Sequence, residues 1–172
     1  MKNVSIIDVV RDTRTVTIAK ASGTTTYAAG DVISAGTGDG HHEFTEMGRS
    51  GGGGSGVIVG AQITISANSA LLPDLQLWLF DTDIVAAADN APFIPTDAEM
   101  KTLVGVLKFP VADFIIGLAS GNATCQASPD NLPLDYGKLI GTSLYGQLVV
   151  RNAYIPITLE EFTVRLKFIK NP

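Results

Sequence analysis

A single cysteine, Cys125, stands among 172 residues, so the chain cannot close an intrachain disulfide. A small secreted fold held by bridges is therefore excluded, and one unpaired thiol fits assembly in a reducing cytoplasm. Histidine is nearly as scarce, with only His41 and His42. No apolar run reaches the ~20 residues of a bilayer span: the longest, from Val57 to Leu72, is interrupted by Gln62, Thr64, Ser66, Asn68 and Ser69. Asp8 breaks the early apolar stretch that a signal peptide would need, so no targeting segment is expected. Charge is sparse and unevenly placed. Lys and Arg are absent between Ser50 and Met100, where Asp74, Asp81, Asp83, Asp89, Asp97 and Glu99 all lie. A net charge of −5 argues against a general binder of nucleic acid or anionic membrane, because phosphate contacts need clustered cations.

What the chain does have is alternation. In Phe162-Thr163-Val164-Arg165-Leu166-Lys167-Phe168 every second residue is bulky and apolar and every intervening one polar, the pattern of a strand buried on one face. Further strands are expected at Tyr27 to Ile33, Glu43 to Met47, Val57 to Ser66, Leu75 to Asp81, Leu103 to Phe109 and Ile140 to Val150. Leu75, Leu77 and Leu79 share one face of their strand and Gln76, Trp78 and Phe80 the other. Both faces are largely apolar, which predicts a central strand covered by a loop or a neighbouring subunit. Twelve of the 18 glycines fall between Gly23 and Gly60, so that region reads as loop-rich, with Arg49 to Gly56 a flexible loop rather than a domain linker. Thr96 is placed to cap a short helical turn and Glu99 to complete its capping box, whereas Ser120 to Pro133 reads as irregular. Val4 to Val10 and Thr15 to Ala19 read as a hairpin turning at Arg11-Asp12-Thr13-Arg14. The expected fold is all-β: an antiparallel two-sheet sandwich, jelly-roll-like, over residues 26–172, preceded by an N-terminal β-hairpin arm over 1–25.

Nothing in the chain has the spacing of a catalytic or metal site. Adjacent residues on a strand point to opposite faces, so His41 and His42 are poorly placed for joint coordination and read as a solvated loop pair. Asp81-Thr82-Asp83 continues into Ile84-Val85, not into the ligand and glycine of a calcium loop, leaving an acidic surface loop as the better reading. Cys125 is followed by no histidine, and no Gly-x-Ser-x-Gly elbow occurs. The glycine run ends in no Gly-Lys-Ser/Thr. Glu160-Glu161 and Asp97 with Glu99 could be paired carboxylates but read as solvated strand ends. Trp78, Tyr27, Tyr136, Tyr145 and Tyr154 could stack on a sugar, with core or interface packing the simpler reading. Neither enzymatic activity nor a cofactor is expected.

Several segments, taken in order and spacing, carry a resemblance. They are Tyr27-Ala28-Ala29-Gly30-Asp31-Val32-Ile33, the Arg49 to Gly56 loop leading into Val57-Ile58-Val59, Leu77-Trp78-Leu79-Phe80-Asp81, Ala88-Asp89-Asn90-Ala91-Pro92-Phe93, Asp97-Ala98-Glu99, Leu103-Val104-Gly105-Val106-Leu107 and Leu148-Val149-Val150-Arg151. This set resembles the head decoration, or cement, proteins of tailed bacteriophages, over about Tyr27 to Phe168. The resemblance implies a jelly-roll-like homotrimer, made in the host bacterial cytoplasm, that binds the major capsid protein on the outer surface of the virion. A mean hydropathy of +0.26 and 17% charged residues, against a typical ~25%, fit a surface partly buried by association. The charge asymmetry makes Lys2, Arg11, Arg14, Lys20, Arg165, Lys167 and Lys170 the candidate capsid contacts, with the acidic middle region facing outward or lining the trimer loops. Met1 to Lys20 lies outside the resemblance; its deletion is expected to abolish capsid binding while leaving a folded trimer. The alternatives are a tail or baseplate accessory sandwich that binds host glycans, or a free carbohydrate-binding module.

Overall fold

The computed structural model of the chain describes residues 11–20, 24–35, 40–48, 54–66, 72–116, 123–126, 129–138, 141–158 and 160–170. In chain order its elements are β1 (Arg11–Ala19), β2 (Val32–Ile33), β3 (His42–Phe44), β4 (Gly54–Ile65), β5 (Leu75–Phe80), α1 (Asp97–Met100), β6 (Leu103–Phe109), β7 (Ile115–Ile116), β8 (Ala123–Gln126), β9 (Leu134–Lys138), β10 (Leu144–Val150) and β11 (Glu161–Lys170). Two antiparallel sheets result. The first runs β1-β11-β4-β8-β7, with β9 also paired to β4; the second runs β2-β10-β5-β6, with β3 also paired to β10. The expected all-β sandwich is the fold. Its core joins inward residues of both sheets, among them Ile58, Ile63, Phe162, Val164, Leu166 and Phe168 from the first and Leu75, Leu77, Leu79, Leu107, Leu144 and Leu148 from the second. Each such side chain, fully buried, stabilises the fold by roughly 1.5–3 kcal/mol.

Thr15 to Ala19 is a strand as expected, but the turn expected at Arg11 to Arg14 does not form. That stretch is the start of a nine-residue strand that pairs along its whole length with β11, from Arg11 opposite Ile169 to Ala19 opposite Glu161. The physical reason lies in its alternation: Arg11, Thr13, Thr15, Thr17 and Ala19 are exposed while Asp12, Arg14, Val16 and Ile18 turn inward. The two inward charges are compensated locally. Arg14 pairs with Asp12 at 2.9 Å and with Glu46 at 2.7 Å, and its guanidinium lies 5.8 Å from the Phe168 ring centre. Residues 1–10, including Val4 to Val10 and Lys2, lie outside the described residues. Deletion through Lys20 would strip β1 from the first sheet and uncover the edge of β11, so Arg11 to Lys20 is not a dispensable arm.

The glycine run is also more ordered at its end than a loop. Gly54, Ser55 and Gly56 begin β4 and pair with Lys138, Gly137 and Tyr136 of β9. Glycine is required at Gly56, where an added Cβ would collide with the Tyr136 hydroxyl and the Ile169 carbonyl. Gly56→Val should therefore cost about 1–3 kcal/mol by overpacking, read as a lowered midpoint in urea denaturation; an unchanged midpoint would mean that β9 does not pack there. The stretch from Ser120 to Pro133, expected to be irregular, contains β8, which pairs with β4 from Gln62 opposite Gln126 to Ile65 opposite Ala123.

β5 is central, between β10 and β6, as its two apolar faces predict. Its inner face carries Leu75, Leu77 and Leu79. Its outer face is covered by the loop between β5 and α1: Phe93 stands edge-on to Trp78 at 5.5 Å and to Phe80 at 6.3 Å. That loop is fixed at both ends. Asn90 N–H donates to Val32 O and Val32 N–H to Ala91 O. At the other end the capping box of α1 is present: Glu99 N–H donates to Thr96 Oγ1 at 3.2 Å and Thr96 N–H to Glu99 Oε2 at 2.7 Å. The Thr96 backbone N–H, with its hydroxyl and the Val85 N–H, holds the Glu99 carboxyl below its usual pKa range.

Candidate interaction face

The outer face of β1, β11 and β4 places cations in register. Thr13 stands opposite Lys167 and Thr15 opposite Arg165, while across β11 Lys167 is opposite Gly60 and Arg165 opposite Gln62. Gly60 leaves room for the Lys167 side chain, whose Cδ would lie 3.4 Å from an added Cβ. Arg11, Arg165 and Lys167 are exposed, and none has an ion-pair partner among the described residues. Hydroxyls fill the positions between them: Thr13, Thr15 and Thr17 are exposed, and Thr17 and Thr163 share a hydrogen bond of 2.8 Å across the strands. A bulge opposite Lys167 and Phe168 accommodates Val59, 45% exposed, at the margin. The acidic residues Glu161 and Asp135 lie at opposite ends of the face, opposite Ala19 and Val57 respectively. The middle of the face is thus a hydroxyl-lined basic band on an acidic chain.

The other candidate contacts have different surroundings. Arg14 is engaged with Asp12, Glu46 and the Thr45 carbonyl, and Lys170 with Asp12 at 3.5 Å. Burial works against the Asp12 carboxylate, but the Thr13 N–H, Arg14 and Lys170 together hold its pKa below the usual value. Lys20 is only 4% exposed. Its ammonium lies 3.9 Å from Asp89 and 5.7 Å from the Tyr27 ring centre, so its side chain belongs to the interior and is not presented to a partner.

Lys20 is part of a buried polar cluster that no sequence pattern revealed. Tyr27 Oη donates to Asp89 Oδ1 at 2.6 Å, Ser34 N–H donates to the same oxygen at 3.1 Å, and Tyr27 stacks on Tyr154 at 6.2 Å. Tyr154 Oη donates to Glu160, whose second oxygen accepts Ile157 N–H at 3.2 Å. Glu160 is fully buried, not a solvated strand end. Burial pushes its carboxyl pKa up, against the Tyr154 hydroxyl, the Ile157 N–H and Lys20. The cluster ties the end of β1, the loop over the second sheet and the approach to β11 together. Lys20→Met should leave Asp89 poorly compensated and cost about 3 kcal/mol, a drop in Tm of roughly 6–12 °C for a chain of this length; a wild-type melting curve would remove the cluster from the stabilising interactions.

The histidines are not a solvated pair either. His42 is fully buried beside Phe44, with rings 6.1 Å apart and nearly parallel, while His41 contacts Asp83 at 3.4 Å and stands edge-on to Tyr145. Among the described residues no group of three or more His, Cys, Asp or Glu side chains is arranged to hold a metal. Asp83 faces His41, whereas Asp89 faces Tyr27 and Ser34. Tyr27, Tyr136 and Tyr154 are core residues, so most of the aromatic set considered for sugar stacking is unavailable to a ligand.

Comparison with known proteins adds little to this. No protein-family model matches the chain, and no curated protein does. Among solved structures, the capsid of Ralstonia phage GP4 matches over 100% of this chain and 92% of that one, at 13% identity and a TM-score of 0.44. Desmodium yellow mottle tymovirus matches over 98% and 91%, at 13% identity and a TM-score of 0.32. At these scores the likeness carries no functional argument, and the fold stands on the strand pairing described above.

Proposed function

We propose that the chain is a structural virion protein of the decoration type, binding the outer surface of a phage capsid as a homotrimer and stabilising it without catalysis or cofactor. The observation that carries this reading is the basic band of Arg11, Arg165 and Lys167 on an open sheet face of an acidic chain. A sheet surface with charges held in register suits a repeating, relatively flat partner, and opposite potentials would steer and orient the encounter. A lattice multiplies modest individual contacts through multivalency. The major capsid protein is the partner this implies, on a face of matching acidity. The resemblance in the chain's middle segments supports the same reading. Burial of Tyr27, Tyr136 and Tyr154 weakens the glycan-binding alternatives, because their rings cannot form an exposed platform.

The test is saturable binding of the purified protein to emptied phage heads, run beside a glycan array. The proposal expects saturable head binding, weakened by salt because the contacts are exposed charges, and no specific glycan signal. Specific glycan binding without head binding would overturn it.

A further inference from the structure

We infer that the outer face of the second sheet carries an interface for a second copy of this chain, in which the loop end of one copy seats in a cationic cleft at the far end of the same sheet on the next. The inference rests on the proposal that the chain works as an oligomer, though not on what the oligomer coats.

The loop end presents apolar side chains that its own fold leaves uncovered. Val85 is 85% exposed, Ile94 81% and Met100 40%. They belong to one unit, since Val85 N–H donates to Glu99 Oε1 at 3.0 Å, fixing Val85 beside α1, and Ile94 lies two residues before the capping Thr96. From Val85 to Met100 this unit carries no cation, and the exposed Lys101 follows it as the C-cap of α1. Asp89 and Glu99 are engaged internally; Asp97 is exposed, and so is Asp83, which also contacts His41 at 3.4 Å.

The cleft lies at the opposite end of β5. It encloses about 200 Å³ and is lined by Asp74, Leu75, Gln76, Lys108, Pro110 and Arg151. Gln76 stands opposite Lys108 on β6 and shares the outer side of β5 with Trp78, on which the loop packs through Phe93. Loop and cleft therefore lie on one face, separated along β5 by roughly 7–13 Å, from Gln76 to Trp78 and Phe80, at ~3.3 Å per residue. Lys108 and Arg151 are exposed, without an ion-pair partner among the described residues. The Asp74 carboxylate in the cleft is directed to the backbone, accepting Val111 N–H at 2.5 Å.

One end of the face thus offers apolar side chains flanked by two carboxylates, and the other an apolar floor flanked by two cations. The two patches complement each other but cannot meet within one chain, because both are fixed to the same rigid sheet. The contact is heterologous, and repeated it closes a ring when the rotation between copies permits. It leaves the basic band of the first sheet free.

The experiment is sedimentation velocity on the full chain over a concentration series, with charge-reversal variants. The wild type should associate. Lys108→Glu with Arg151→Glu, and separately Asp83→Lys with Asp97→Lys, should each weaken association on the order of 100-fold through like-charge opposition. The four substitutions combined restore opposite charges and should recover association. Circular dichroism and thermal melts confirm folding of each variant, all four sites being on the surface. Reversed variants that associate like the wild type, or a quadruple variant that stays dissociated, would overturn the interface. A wild type that binds heads while sedimenting as a monomer would overturn it and leave the head-binding proposal standing; association as described without head binding would do the reverse.

Discussion

Replacing Arg11, Arg165 and Lys167 together by glutamate should abolish saturable binding to emptied heads, with an apparent affinity loss on the order of 100-fold or more. The three side chains are exposed and unpaired among the described residues, so reversal changes the face without breaking an internal contact. Surface changes of this kind usually move stability by no more than about 0.5 kcal/mol each, and the triple variant should melt close to the wild type. Arg14→Gln provides the contrast, since Arg14 is tied to Asp12 and Glu46: it should lower Tm and leave head affinity nearly unchanged. Normal occupancy by a folded triple variant would show that the basic band is not the docking face. Loss of binding by Arg14→Gln alone would move the contact to the edge of β1.

The second large effect is on stability and follows from His42. The ring is fully buried, neither nitrogen makes a well-formed hydrogen bond among the described residues, and burial pushes its pKa down from the ordinary 6.5 to about 4, opposed in part by weaker interactions with the nearby backbone of Phe162 and Gly146. The unfolded chain therefore takes up a proton near pH 6.5, whereas the folded chain remains neutral until about pH 4. Between those values the unfolded state binds more protons, so folding stability falls as the pH falls. The loss is complete below about pH 4 and reaches about 3 kcal/mol. His42→Leu should be close to the wild type at pH 7.5 and more stable than it by about 2–3 kcal/mol near pH 4.5, measured by urea denaturation at both values. Glu160, with its raised pKa, contributes in the opposite sense: protonation favours the folded state, and that stability is lost as pH rises through its folded-state value. Glu160 is present in both proteins, so their difference isolates His42. Parallel pH profiles for wild type and His42→Leu would mean that the imidazole is solvated.

The elements legible in the sequence were those whose burial is one-sided and whose partners are apolar. Phe162 to Phe168 showed its strand and its face directly, Leu75 to Phe80 its central position, and Thr96 with Glu99 its helix cap. Thr15 to Ala19 reads as a strand and is one, but the first half of β1 reads as a turn because Asp12 and Arg14 occupy inward positions, where alternation of polarity normally reports apolar residues. Only the fold brings Glu46, Lys170 and the Phe168 ring alongside to compensate them. Gly54 to Gly56 was hidden for a related reason. Glycine there makes room for the Tyr136 side chain, a contact 80 residues away in sequence that composition reads as flexibility.

The candidate interaction face is half legible. Alternation placed Arg165 and Lys167 on the polar side of the last strand, and strand pairing added Arg11 and the threonines. The same logic could not separate Lys20, which looks like any basic residue at a strand end. Its burial depends on Asp89, Tyr27 and Glu160 converging from three loops, and nothing in the spacing of those residues announces that they meet.

The proposed role as a capsid coat is tested most directly by counting copies of the chain in purified virions, using quantitative mass spectrometry against an isotope-labelled standard. A protein that occupies repeating lattice positions should be present in copies on the order of hundreds per particle. Only a few copies per particle, as for a tail or baseplate component, or none, would contradict it.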